Sequence, residues 1–289
     1  MQNKIIIMDK NILGLSCVEN HVLMYLKNRG EDISCLYADS EIGLKELFYM
    51  FFKENQKYEY FSGFPRIQDK LKKLGVLSVE LKKSNTEEIL QRVEQNRNIL
   101  FLVKIKAEVF KLMNRQIPWR NDHYMAIEYN DENVILKNDS PLFEIIMDTN
   151  EFDNIYMKEY LEIEQTKTIS GEIECFLKRN HVRAKRPETW EELCFEGIEY
   201  SVDAMKKLRD LIGIYKVSRK RRQLYEREFC DTRYMDIEIG QIEKLYVFTA
   251  YMALKDTRNI DDICQIVRRL WEIENNLCWN SKKFPHLES

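Results

Sequence analysis

Beyond about residue 168 the chain changes texture, and that change limits its architecture more than any single motif does. The stretches 188–214, 216–235, 240–255 and 260–277 carry apolar residues at helical spacing, and only Pro187, Gly197, Gly213 and Gly240 punctuate them. Apolar side chains recurring every three or four residues form one stripe of a helix, which must be buried against a neighbour. Several such helices in succession predict a bundle of four or five. Before the boundary, short β-type runs alternate with helical ones. Residues 99–105 read as a buried strand, and His123–Tyr129 with 133–137 as a hairpin across Asn130-Asp131-Glu132, whose side chains favour a bend. A further strand fits 142–147. Helices fit 17–27, ending at Gly30, then 42–53, and 86–95 with Ser84 or Asn85 as its cap. The expected class is therefore α+β, an early helix and a later antiparallel sheet over residues 1–167, followed by an α-helical bundle over 168–289. Only 9 Gly and 5 Pro in 289 residues agree with a helix-rich chain of few long loops.

Charge and composition narrow the function classes. A net charge of -3 gives no global attraction to nucleic acid, so any electrostatic partner must be met by a local patch. Apolar runs such as 99–103 are far too short to cross a bilayer, and the start of the sequence lacks the apolar region and small-residue cleavage site of a signal peptide. Seven cysteines without a CxxC pair predict free thiols in a reducing cytoplasm. No zinc-type spacing joins Cys and His, and no glycine-rich phosphate loop occurs, so neither a metal nor a bound cofactor is expected.

One cysteine stands in a distinctive context. Cys17 follows Gly14-Leu15-Ser16, and the helical periodicity of Val22, Leu23 and Leu26 begins just beyond it. A thiol at a helix N-terminus meets unpaired backbone N–H groups and the positive end of the helix dipole, which favour a thiolate and can receive an oxyanion. A nucleophilic thiol also needs a base, and the chain has four histidines: His21, His123, His181 and His286. His21 lies one turn along the same helix, where a side chain points beside the thiol instead of facing it. His123 opens a strand, and Asp139 follows the partner strand of the same hairpin, so a carboxylate could hold the imidazole from that end of the sheet. Asn138 is an alternative orienting group. Cys35, Cys175, Cys194, Cys230, Cys264 and Cys278 have no comparable context and read as structural.

The stretches Cys17-Val18-Glu19-Asn20-His21-Val22-Leu23, His123-Tyr124-Met125-Ala126-Ile127-Glu128-Tyr129 and Val134-Ile135-Leu136-Lys137-Asn138-Asp139 occur in the order Cys helix, His strand, Asp-ended strand. That order resembles the papain-like cysteine superfamily, and more closely the butirosin-biosynthesis H N-terminal-like family, over about residues 11–150. The resemblance implies a papain-like fold with Cys17, His123 and Asp139 as the catalytic triad. It places Asn11, six residues before Cys17, where papain-like enzymes carry an oxyanion-hole Gln, one methylene longer. A backbone N–H alone is the alternative donor.

The same resemblance implies an acyltransferase, related to the closthioamide-type amide-forming enzymes of nonribosomal antibiotic biosynthesis. It would take an acyl group from the phosphopantetheine thioester of an acyl or peptidyl carrier protein and pass it, through acyl-Cys17, to a small-molecule amine. The phosphopantetheine arm belongs to the partner. Carrier proteins are usually acidic, so the basic run with Arg219, Lys220, Arg221 and Arg222, with Arg183, Lys185 and Arg186 earlier, is a candidate docking face. Two readings of other classes stay open: a cysteine peptidase or thioesterase that hydrolyses its acyl-enzyme, and a non-enzymatic binding protein on the same fold. The oligomeric state, homo-oligomer included, is also open.

Overall fold

The computed structural model describes residues 7–9, 11–38, 41–58, 61–64, 66–112, 123–130, 132–140, 142–171, 173, 189, 193, 203–228, 231–255 and 259–281. In chain order the helices are α1 (Cys17–Asn28), α2 (Leu44–Phe48), α3 (Ile67–Lys73), α4 (Thr86–Gln95), α5 (Val109–Leu112) and α6 (Thr149–Ile155). Three long ones follow: α7 (Ala204–Glu226), α8 (Arg233–Leu254) and α9 (Ile260–Ser281). The strands are β1 (Leu77–Lys83), β2 (Leu100–Ile105), β3 (His123–Tyr129), β4 (Val134–Asp139), β5 (Leu142–Met147) and β6 (Tyr156–Gln165). The fold is mixed α+β. Two compact units comprise Met1–Ile33 with Pro65–Ile173, and Ser34–Phe64 with Glu174–Ser289.

In the first unit six strands form one sheet, ordered β1-β6-β2-β3-β4-β5, with every pairing antiparallel. The hairpin expected from Asn130-Asp131-Glu132 is β3–β4, registered Ala126 on Lys137 and Tyr129 on Val134. Asn130 helps close it by accepting the Asn133 N–H on its side chain at 3.0 Å. On one face, Val103, Ile105, Met125, Ile127, Val134 and Leu136 bury against Ile89, Leu90 and Val93 of α4. Helix α4 starts at a capping box in which Asn85 and Glu88 satisfy each other's backbone N–H groups, so of the two expected caps Asn85 serves. Helix α1 stops in a Schellman turn: Gly30 at φ +84° donates to Lys27 O, and Glu31 N donates to Leu26 O.

Strands β1 and β6 were not expected, although both alternate. Their polar positions carry Lys and Glu, which lowers strand propensity in an isolated reading. In the sheet these charges pair across strands, as Lys82 does with Glu162 at 3.0 Å.

The second unit holds 34–64 together with the long helices, so the division differs from a single boundary at 167/168. Its apolar residues explain the assignment: Leu36, Leu44, Leu47, Phe48 and Phe51 are all buried. The Ile42 N–H donates to Ser218 Oγ of α7 at 3.3 Å, and Glu41 pairs with Arg222. Helix α2 runs into a π-helical turn, Tyr49–Lys53, within the expected 42–53. Expected helix breaks at Gly213 and Gly240 do not occur. A Cβ at Gly213 would meet Tyr58 at 3.0 Å, so that glycine admits a ring instead of ending a helix. The expected segment 188–203 lies almost wholly outside the described residues. Among the described residues, no helix is long and apolar enough to cross a membrane.

Candidate active site

Cys17 is the first residue of α1 and is half-buried. Ser16, in extended backbone, caps the helix by accepting the Glu19 N–H on Oγ at 3.2 Å. The loop before the cap is fastened to the first turn of its own helix from two sides. The buried carboxylate of Glu19 accepts Leu15 N–H at 2.5 Å and Ile67 N–H at 2.9 Å. Asn20 accepts Gly14 N–H on Oδ1 at 2.7 Å. Any Cβ at Gly14 would lie 2.4 Å from that Oδ1 and 2.7 Å from the Asn20 nitrogen, so only glycine fits the approach.

His123 begins β3 and Asp139 ends β4, and antiparallel pairing brings those two termini to the same end of the hairpin. His123 Nε2 lies 3.2 Å from Asp139 Oδ1, and His123 is also hydrogen-bonded to the Cys17 side chain. Of the two expected orienting groups, Asp139 is the one that meets the imidazole. The edge of the Phe110 ring packs on His123, 5.7 Å between centroids, and limits how the imidazole can tilt. Asn20 donates from Nδ2 to the other Asp139 oxygen at 2.7 Å. One asparagine therefore ties the carboxylate to the loop that presents Cys17. Sequence reasoning missed Asn20; its signal was a donor side chain one turn beyond the cysteine and six residues after a glycine.

Electrostatics separate the two nearby histidines. Burial opposes a charge on His123, but the hydrogen bonds to Asp139 and Cys17 and the charges of both outweigh it, pushing the imidazole up to about 10. Burial likewise opposes ionisation of Asp139, yet the bond to His123, the nearby His21 and the Asn20 donor hold its carboxyl below the usual range. His21 is fully buried, 4.0 Å from Asp139 Oδ1, with no hydrogen-bond partner among the described residues. Burial chiefly, helped by the charges of His123 and Lys137, lowers it to about 4, so it is neutral near pH 7. His21 flanks the carboxylate, and His123 faces the thiol.

The remaining candidates are placed less favourably. Asn11 is exposed in a turn, its N–H on Asp9 Oδ1 at 2.8 Å. The basic run of α7 is not a docking face. Arg219, Arg221 and Arg222 are 0%, 1% and 2% exposed. Arg219 is bidentate to Glu274, donating from Nη2 to Oε1 at 2.9 Å and from Nε to Oε2 at 3.2 Å, and Arg222 contacts Glu41 at 3.0 Å and Glu226 at 2.7 Å. Arg221 lies over the rings of Tyr37 and Phe64. Within one helical turn these three cations are interior struts, and Glu274 and Glu41, which meet Arg219 and Arg222, are remote in sequence. Lys220 alone is partly exposed, on Glu243 at 2.5 Å. Arg183, Lys185 and Arg186, like Cys175, Cys194, Cys230, His181 and His286, lie outside the described residues. Cys35 is buried and Cys264 half-buried.

Neither a scan against models of known protein families nor a search among curated proteins returns a match for this chain.

Proposed function

We propose that the chain is a papain-like thiol acyltransferase that forms an amide bond through acyl-Cys17. The observation that carries this reading is a single histidine, His123, bonded both to a cysteine at a helix N-terminus and to a buried carboxylate. In the reaction, Cys17 Sγ attacks the carbonyl of a phosphopantetheine thioester presented by a carrier protein. The developing oxyanion is received by backbone N–H at the start of α1, where the helix dipole favours negative charge. Asn11 is a second donor only by its place six residues before Cys17. Collapse of the tetrahedral adduct breaks the carbon–sulfur bond to the donor, and His123 gives its proton to the departing pantetheine thiolate. A small-molecule amine then attacks acyl-Cys17 and His123 takes the amine's proton. The amide leaves and the Cys17–His123 pair is restored. Asp139 holds the imidazole in the required orientation throughout.

Intact-protein mass spectrometry with S-acetylpantetheine tests the first half of this cycle. Wild type should gain one acetyl group on Cys17, and Cys17→Ala should gain none. Adding a primary amine should discharge the adduct as the amide. Discharge equally fast into water would make the chain a thioesterase, and no adduct at all would refute acyl transfer.

A further inference from the structure

A row of side chains crosses four strands of the sheet, starting next to His123 in β3 and ending at the β1 edge. Tyr124 follows His123 in β3, and burial chiefly, with its bond to Glu159, raises its phenol above the usual range. Its hydroxyl donates to Glu159 Oε1 of β6 at 2.7 Å. Lys104 of β2, the register partner of Tyr124, meets the same oxygen at 3.1 Å, and Lys83 of β1 is the register partner of Glu159.

Where this row ends, a cavity of about 600 Å³ opens, lined by Lys83, Ser84, Lys104, Met157, Lys158 and Glu159 among others. A bulge builds it. Val103 pairs with Tyr160 and Ile105 with Tyr156, so Lys104 alone faces three residues of β6. Within the bulge Lys158 adopts φ +59°, a left-handed conformation that lysine rarely takes. Its Nζ is held by Thr86 Oγ1 at 2.8 Å and by Asp153.

Three lysines thus line a cavity whose one carboxylate, Glu159, is already engaged by Tyr124 and Lys104. Lys158 is matched by Asp153, while the charges of Lys83 and Lys104 both act on the single carboxylate of Glu159. Three ammonium groups thus face two carboxylates, Glu159 and Asp153, which leaves an excess of positive charge on flexible ammonium donors, the chemistry that receives a phosphate.

We propose that this cavity is a phosphate-binding subsite with Lys83 and Lys104 as its cationic groups, and that it takes the phosphate of the arm delivering the acyl group to Cys17. The second half of that statement rests on the acyl-transfer reading above; the first half does not.

Two arms test it on the full chain. In Cys17→Ala, reductive methylation of lysines is followed by peptide mass spectrometry with and without inorganic phosphate. Phosphate should slow modification of Lys83 and Lys104 several-fold, while exposed Lys73 keeps its rate. In wild type, acylation of Cys17 by S-acetyl-4′-phosphopantetheine is compared with that by S-acetylpantetheine at subsaturating concentration. The phosphorylated donor should react faster by about tenfold or more, the size expected from one or two charge-assisted hydrogen bonds. The Lys83→Gln/Lys104→Gln double variant should bring that ratio close to one. Absence of lysine protection by phosphate overturns the subsite whatever the donors do. Protection with equal donor rates overturns its assignment to the arm. Protection with no acylation by either donor keeps the phosphate site and overturns the acyl-transfer reading instead.

Discussion

Replacing Asn20 by Ala should both destabilise the protein and loosen the proposed triad, because two bonds of different kinds are lost together. The first is Nδ2–H to Asp139 Oδ2, 2.7 Å, a bond to a group held ionised. Hydrogen bonds to charged groups contribute about 1.5–3 kcal/mol. The second is Gly14 N–H to Asn20 Oδ1, also 2.7 Å, and a neutral bond contributes about 0.5–1.5 kcal/mol. Together they set an expected loss of about 2–4.5 kcal/mol, measured as the shift in urea midpoint at unchanged slope. Asn20→Asp separates the contributions. It keeps an acceptor for Gly14 but sets a second carboxylate against Asp139, and two carboxylates sharing a site raise one pKa. A carboxyl whose folded pKa lies above its unfolded value destabilises once pH exceeds the unfolded value. The Asp variant should therefore match or exceed Asn20→Ala in stability near pH 4 and fall below it by pH 7. A purely structural role for Asn20 would leave Cys17 alkylation unchanged, whereas a link through Asp139 slows it in both variants. A loss under about 0.5 kcal/mol with unchanged alkylation would mean that Asn20 neither holds Asp139 nor fastens the Gly14 loop.

His123 should titrate near pH 10 by imidazole carbon NMR, and Asp139→Ala should lower that value by removing the carboxylate that favours the charged ring. With the folded pKa raised above 6.5, the stability His123 contributes is complete below pH 6.5 and lost as pH climbs towards 10. The gap between wild type and His123→Gln in thermal unfolding should close over that window. Gly14→Ala, whose Cβ has no room beside Asn20, should slow Cys17 alkylation more than Gly240→Ala, where a Cβ meets nothing within 4 Å. Arg219→Met should cost about 3–5 kcal/mol by stranding Glu274, and pairing it with Glu274→Leu should recover most of that loss; equal losses would contradict the buried pair.

The hairpin and the early helix were legible because local chemistry sets their ends. Asn130 closes the turn between β3 and β4, Asn85 caps α4, and Ser16 caps α1 directly before Cys17. Once the turn is fixed, antiparallel register brings His123 and Asp139 to one end, which is why a linear reading could pair residues sixteen apart. What failed depended on distant partners. A run of Arg219, Arg221 and Arg222 reads as a solvated basic face until Glu41 and Glu274 are brought against it. The charges that hid β1 and β6 find partners only across the sheet, and Gly213 reads as a breaker until Tyr58 occupies its place. Asn20 was visible as a residue, but its two bonds reach Gly14 in a loop and Asp139 on a strand.

Whether His123 activates Cys17 is read from the alkylation rates of all seven cysteines at pH 7 by peptide mass spectrometry. Comparing wild type with His123→Ala needs no substrate. Cys17 should react fastest in wild type, well ahead of half-buried Cys264, and should lose that lead when His123 is removed. Cys17 reacting no faster than Cys264, or keeping its lead without His123, would show that His123 does not activate the thiol.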